Sequence, residues 1–129
     1  MEMVYRKTSS KTLEELDQAL RDAAVRHKFG VLGVHDLKQA MNNKGVEFDA
    51  EVRVYEVCNP HHAKTVLLES MEVSTALPCR ISIYSAADKL EVATILPSEL
   101  MKAFGSSPIM AATADEVENE MKAIIDETV

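Results

Sequence analysis

The sequence predicts a two-layer sandwich of the α+β or α/β class, a mixed five-stranded sheet with helices mainly on one face. Three observations carry this expectation. Several stretches alternate apolar and polar residues, the period of a strand covered on one face and wet on the other. Other stretches place apolar residues three and four apart behind a capping signal, the mark of an amphipathic helix. The two kinds of segment follow one another along 129 residues with no repeat, low-complexity tract or interdomain linker, so a single domain over 1–129 is expected.

Met3 to Thr8 mixes Val4 and Tyr5 with charge and reads as a first strand ending in a Thr8-Ser9-Ser10 turn. Thr12 with Glu15 forms a capping box, and Leu13, Leu16, Leu20 and Ala24 then share one side of a long helix that reaches about His27. Phe29 to Val34 has no helical period and contains Gly30 and Gly33, which suggests a strand packed closely against its neighbours. Asp36 and Gln39 repeat the helix-start signal, Leu37 and Met41 share a face, and Gly45 supplies the stop.

From Phe48 the chain alternates. Phe48, Ala50, Val52 and Val54 are expected to point inward, and Asp49, Glu51, Arg53 and Tyr55 outward. Asn59 offers a cap and Pro60 suits a first helical position, ahead of Ala63, Val66, Leu67 and Met71 on one side of a third helix. Cys79, Ile81 and Ile83 alternate with Arg80, Ser82 and Tyr84, the chain turns at Ala86 to Lys89, and Leu90 to Leu96 returns as the last strand. Pro97 to Phe104 reads as a short helix and Gly105 to Pro108 as a loop. Thr113 and Glu116 signal the start of a closing helix with Val117, Met121, Ile124 and Ile125 as its stripe. Met41, Met71, Met101 and Met121 occupy apolar helical positions and are read as core filling.

Composition narrows function by exclusion. With 47% hydrophobic and 27% charged residues the chain can bury a core. Its formal net charge of −7 repels phosphate backbones, and the lack of Trp removes the best stacking side chain, so nucleic acid is not an expected partner. No apolar run has the length to cross a bilayer, and the first residues lack the apolar middle of a secretory signal, so no membrane association and a cytoplasmic location are expected. Two cysteines, Cys58 and Cys79, are too few for a disulfide framework.

These cysteines are the centre of the candidate site. Cys58 closes one predicted strand and Asn59-Pro60-His61-His62 opens the next helix, so its thiol lies near the positive end of a helix dipole, which favours thiolate and binds anions. By alternation it also shares the face of Phe48, Val52 and Val54, where it would be a small buried hydrophobe. Cys79 begins another strand on its apolar side, and if the strands are neighbours both sulfurs occupy one layer. Glu56 is the one charge on the otherwise apolar even face: either the strand leaves the core there, or a carboxylate stands beside the thiol as an acid or base.

His61 and His62 in a first helical turn are usually exposed. A metal would have Cys58, Cys79 and His62 as ligands, with His35 and His61 the remaining imidazoles, but the spacing matches no zinc signature. Gly30-Val31-Leu32-Gly33 lacks the rest of a dinucleotide fingerprint, and the sequence names no cofactor.

Taken together, Phe29-Gly30-Val31-Leu32, Glu56-Val57-Cys58-Asn59-Pro60 with Ala63, and Leu77-Pro78-Cys79-Arg80 resemble the family catalogued as Domain of Unknown Function 302. The resemblance runs from about Tyr5 to the final helix. It implies a compact two-layer domain, often a homodimer, with no established activity, and Cys58, Asn59, Pro60, Pro78 and Cys79 as signature positions. Val73-Ser74-Thr75-Ala76 departs from the Gly and Leu more usual before the Pro-Cys element. The expected function is a ligand-binding or assembly domain, homodimeric, with a two-cysteine pocket for a small molecule. The alternatives are thiol-redox or metal-binding chemistry at Cys58 and Cys79 and, ranked last, a hydrolase using Glu56 and a histidine.

Overall fold

The structure is a computed structural model that describes residues 2–105 and 107–129. The order of elements is β1 (Val4–Ser9), α1 (Leu13–Arg26), β2 (Gly30–Asp36), α2 (Leu37–Asn43), β3 (Val52–Cys58) and α3 (Pro60–Glu69), followed by a 3₁₀ turn over Met71–Ala76. Then come β4 (Cys79–Ala86), β5 (Lys89–Ile95), α4 (Pro97–Met101), a short 3₁₀ turn over Lys102–Phe104, and α5 (Pro108–Thr128). The result is an α+β sandwich of five strands in the order β1-β5-β4-β3-β2.

All four pairings are antiparallel, so the parallel part of the expected mixed sheet does not form. The reason is topological. β1, β2 and β4 run one way and β3 and β5 the other, and the strand order interleaves them so that like directions are never neighbours. β1 and β2 do run parallel with α1 between them, yet they end on opposite edges of the sheet.

Helix α1 forms because both halves of its capping box are made: the Glu15 amide donates to Thr12 Oγ1 at 3.2 Å and the Thr12 amide to Glu15 Oε1 at 2.9 Å. Such a cap is worth about 1 kcal/mol. Leu16, Leu20, Ala23 and Ala24 then meet Val117, Met121, Ile124 and Ile125 of α5 over Tyr55, Val57, Ile81, Ile83 and Val92 of the sheet. Burying each larger aliphatic side chain contributes about 1.5–3 kcal/mol. The C-terminal end of α5 is tied down by Tyr5 Oη donating to Asp126 at 2.6 Å and Lys11 Nζ donating to the Thr128 carbonyl at 2.9 Å.

Strand β3 corrects the expected phase. Tyr55 and Val57 are fully buried, whereas Val52, Val54, Glu56 and Cys58 are half-buried on the alternate set, and Phe48 and Ala50 lie before the strand begins. Both phases of this strand are apolar, so alternation cannot choose between them. Register does: Tyr55 pairs with Ile81 and Val57 with Cys79, which aligns the inward set of β4. Tyr55 Oη also donates to Asp17 at 2.7 Å, satisfying the one polar atom of that inward ring.

Other differences have local causes. In β2 the register shifts between Val31 and Gly33, leaving Leu32 without a partner on β3 and 65% exposed. Gly33 is a close approach, since a Cβ there would sit 3.1 Å from Glu56 Oε1. Helix α2 buries none of its residues, although Gly45 adopts the left-handed conformation expected of a helix stop, with φ of 80°. Helix α5 starts at Pro108 with Ser107 as its cap, five residues ahead of Thr113, whose hydroxyl donates instead to the Ile109 carbonyl at 2.9 Å. Met101 and Met121 are buried, but Met71 lies in the 3₁₀ turn and is 73% exposed. Of the expected Gly105–Pro108 loop, Ser106 falls outside the described residues. Among those described, no helix is long and apolar enough to cross a membrane.

A second apolar cluster lies apart from the main core: Val66, Val73, Met101, Met110 and Ala114, with Leu67, Leu77, Leu100 and Phe104 packed against it. The two clusters meet where β3 turns into α3.

Candidate functional site

At that turn, Asn59 occupies the cap position of α3 and is buried. Its Oδ1 accepts from the His61 amide at 3.0 Å and the His62 amide at 3.4 Å, and its carbonyl accepts from the Ala63 amide at 3.0 Å. Pro60 has no N–H to offer. Every donor that a helix start would present to an anion is therefore occupied or missing, and the expected thiolate-stabilising environment of Cys58 does not exist. Burial pushes the Cys58 thiol up instead.

Cys79 opens β4 directly opposite Val57 and packs against the main core. Its thiol is pushed up to about 11, first by burial and then by the proximity of Cys58. Both shifts favour the protonated form of the thiol, the less nucleophilic one.

Cys58 and Cys79 line one cavity at the seam between the two apolar clusters, with about 40 Å³ open to the centres of water-sized spheres. Phe29, Val57 and Val117 enclose it from the main core, and Val66, Met101 and Ala114 from the smaller cluster. Asn59 and His62 complete the wall. The imidazole is already engaged: His62 Nε2 lies 3.2 Å from Glu120 Oε2 and Nδ1 3.9 Å from Glu116 Oε2, clamping α3 to α5.

Glu56 and His61 are elsewhere. His61 is exposed, and Glu56 belongs to the opposite side of the sheet, 2.9 Å from His35 Nε2. That pair occupies the carboxylate, and neither residue lines the cavity. Glu56 sits on the half-buried set of β3 because the inward phase is odd, so it is not a charge stranded in the core. Among the described residues no three His, Cys, Asp or Glu side chains gather to hold a metal ion. Sequence reasoning missed the walls contributed by Phe29, Met101, Ala114 and Val117. Each reads as an ordinary core residue until the packing of α4 and α5 against α3 is known.

The signature elements of the sequence, Cys58-Asn59-Pro60 and Leu77-Pro78-Cys79, thus frame one cavity. The family described as domain of unknown function DUF302 matches residues 5–128. The chain belongs to the DUF302 family. A crystal structure of an uncharacterized conserved DUF302 protein from Bacillus stearothermophilus superposes with a TM-score of 0.94 at 25% identity, covering 100% of both chains. That likeness extends the shared architecture to the whole chain. No curated protein matches it.

Proposed function

We propose that this DUF302 domain binds the apolar part of a small molecule in the cavity between Cys58 and Cys79, without thiol chemistry. The observation that carries the reading is the cavity's position: it is a gap left at the junction of two otherwise closed apolar clusters, walled by aliphatic, aromatic and sulfur side chains. Sites for small ligands are mostly apolar, and the polar side chains of this wall, Asn59 and His62, are already engaged by the α3 amides and by α5, which leaves an apolar space. Protonated thiols behave as small polarizable hydrophobes, which suits an uncharged guest and disfavours the redox and metal alternatives. Titrating hexanol into isotope-labelled protein tests this: saturable amide shifts at Ala114 and Val117 are expected, and Ala114→Leu, which fills the gap, abolishes them. Absent or non-saturating shifts in the wild-type protein, or shifts that survive the filled cavity, refute the reading.

A second copy of the chain is the partner we propose for the sheet face opposite α1 and α5. Val52 and Val54 on β3 and Ile95 on β5 lie on that face by register, and Ile95 is 38% exposed. Sedimentation is expected to give a dimer that Val54→Glu dissociates, and a wild-type monomer at high concentration overturns the assignment.

A further inference from the structure

A second, wider cavity adjoins the first where the sheet comes apart. The ladder between β4 and β5 runs from Ala86 and Lys89 to Ser82 and Ala93 and stops there, although β4 begins at Cys79 and β5 extends to Ile95. The parted strand ends, with α4 and the 3₁₀ turn over Met71–Ala76, enclose a space with 270 Å³ open to the centres of water-sized spheres. Cys79, Pro97 and Met101 belong to the walls of both cavities. Met101 is unbranched and lies in a helix of five residues, so a change of its rotamer can join the two spaces without moving the sheet. With about 40 Å³, the inner space takes the end of an alkyl chain, and the remainder of a guest and its head fall to the outer one.

The outer wall has a one-sided hydrogen-bonding character. Thr94 lines it, falls on the inward set of β5 with Val92, and is 5% exposed. A hydroxyl carries one hydrogen. Thr94 gives it to the Arg80 carbonyl at 2.7 Å, and its other near neighbour, the Ile95 carbonyl at 3.2 Å, is also an acceptor. The lone pairs of Thr94 Oγ1 therefore meet no donor among the described residues. Thr75 at the rim repeats the pattern, its hydroxyl donating to the Glu72 carbonyl at 2.8 Å. Pro78 and Pro97 add no N–H. Charge is turned away as well: among the described residues Arg80 is the one charged member of this wall, and its pairing with Glu56 sends its side chain to the sheet face of Glu56 and Val54.

We propose that the guest is a linear, uncharged molecule with a hydrogen-donating head of the primary alcohol or primary amide class, its head donating to Thr94 Oγ1 in the outer cavity and its tail passing Met101 into the space between the cysteines. The proposal rests on the apolar-binding reading above and adds the head group and the path. A guest that displaces solvent from Thr94 has to replace the hydrogen bond it removes, and a head that only accepts cannot do so. A carboxylate meets lone pairs and no facing cation. An ammonium can donate, but no carboxylate in this wall offsets the desolvation of its charge.

The test is NMR titration of the full chain with pairs of isomers that differ only in the donor: 1-octanol against methyl heptyl ether, and octanamide against N,N-dimethylhexanamide. Each donor is expected to bind about tenfold more tightly than its isomer, as one hydrogen bond provides, and to shift amides around both Leu100 and Ala114. Octanoate and octylammonium should bind more weakly than octanol, and competition between octanol and octanamide tells the two heads apart. Thr94→Val keeps the shape of the side chain and should erase the preference for octanol over the ether, while Thr94→Ser should retain it. The ether does not use the hydroxyl, so its unchanged binding shows that the cavity of Thr94→Val is intact. If the isomers bind equally to the wild-type protein, if Thr94→Val preserves the preference, or if octanoate matches octanol, the head-group assignment fails while the apolar cavity stands. Octanol that perturbs only residues around Leu100 overturns the path past Met101. If no member of the series produces saturable shifts, the apolar-binding reading itself falls and takes this one with it.

Discussion

The core between the sheet and helices α1 and α5 differs from the smaller cluster under α3 and α4 in what holds it together. In the main core, long elements cross several strands, and Leu16, Leu20, Tyr55, Ile81, Ile83, Met121, Ile124 and Ile125 are all fully buried. The smaller cluster sets the first turns of α5 against a ten-residue helix, a five-residue helix and two 3₁₀ turns. It buries Val66, Val73, Met101, Met110 and Ala114, and leaves Leu68 75% exposed on the same helix as Val66. Short elements have too few side chains to interlock on every side. The lesson is that the cavity is a consequence of joining a closely packed layer to a loosely built one, and the signature Cys-Asn-Pro segment lies on that join.

The strongest way to break the comparison is to delete buried volume on each side. Ile124→Ala is expected to cost near the upper end of about 2–5 kcal/mol, because the surrounding core cannot collapse into the hole. Met101→Ala, beside space that already exists and under a helix that can move, should lie near the lower end. Equilibrium urea denaturation measures both, and equal losses would show that the smaller cluster is as rigid as the main one.

The next effect is electrostatic and acts on each region through one carboxylate. Burial would raise Asp17, but hydrogen bonds from Arg21 at 2.9 Å and Tyr55 at 2.7 Å outweigh it and hold its carboxyl below the ordinary range. In the smaller region, burial likewise opposes and the Ser98 hydroxyl and amide prevail, leaving Glu118 below its usual value. A carboxyl depressed by folding stabilises fully above its unfolded value, and that contribution is lost as pH falls through the folded value. Melting temperature should therefore hold from neutral pH down to about the ordinary carboxylate range and drop below it. Asp17→Ala should cost about 1–3 kcal/mol at pH 7 by stranding the buried Tyr55 hydroxyl, and Glu118→Ala about 1 kcal/mol, since Ser98 is half-exposed and water replaces the carboxylate. Both gaps narrow in acid, and a gap that widens as the carboxylates protonate contradicts the assignment.

Sequence made the layers readable because their signals are local. The Thr12/Glu15 box, the Asn59-Pro60 helix start and the Cys79-Ile81-Ile83 alternation each depend on residues within a few positions of one another. What it hid depends on partners far along the chain. Val52, Val54, Tyr55 and Val57 give β3 two apolar phases, and only pairing with Ile81 and Cys79 decides which faces inward. Thr113 and Glu116 carry the spacing of a cap inside a helix already begun by Ser107 and Pro108. For the site, the strand ends were visible and the helix walls were not, since Met101 and Ala114 acquire their role from how α4 and α5 dock. The Asn59 side chain illustrates the limit most clearly: the same residue that marks the helix start also consumes the amides from which an activated thiol was inferred.

The smallest effect, on reactivity with stability unchanged, separates the two cysteines that face this join. If the helix start lent its dipole to Cys58, that thiol would alkylate rapidly at neutral pH, because rate follows the thiolate fraction. Its amides are spent on Asn59, so with iodoacetamide at pH 7.5 Cys58 should react no faster than an exposed free cysteine, and Cys79, with its thiol pushed up to about 11, more slowly still. Raising the pH toward 10 should accelerate Cys58 before Cys79, read by mass spectrometry of the modified peptides. Asn59→Ala supplies the internal contrast: by freeing the His61 and His62 amides it should make Cys58 more reactive even as it weakens α3 by about 1 kcal/mol. A variant less reactive than the wild-type protein would mean that Asn59 activates the thiol, and the case for an inert apolar pocket would reverse.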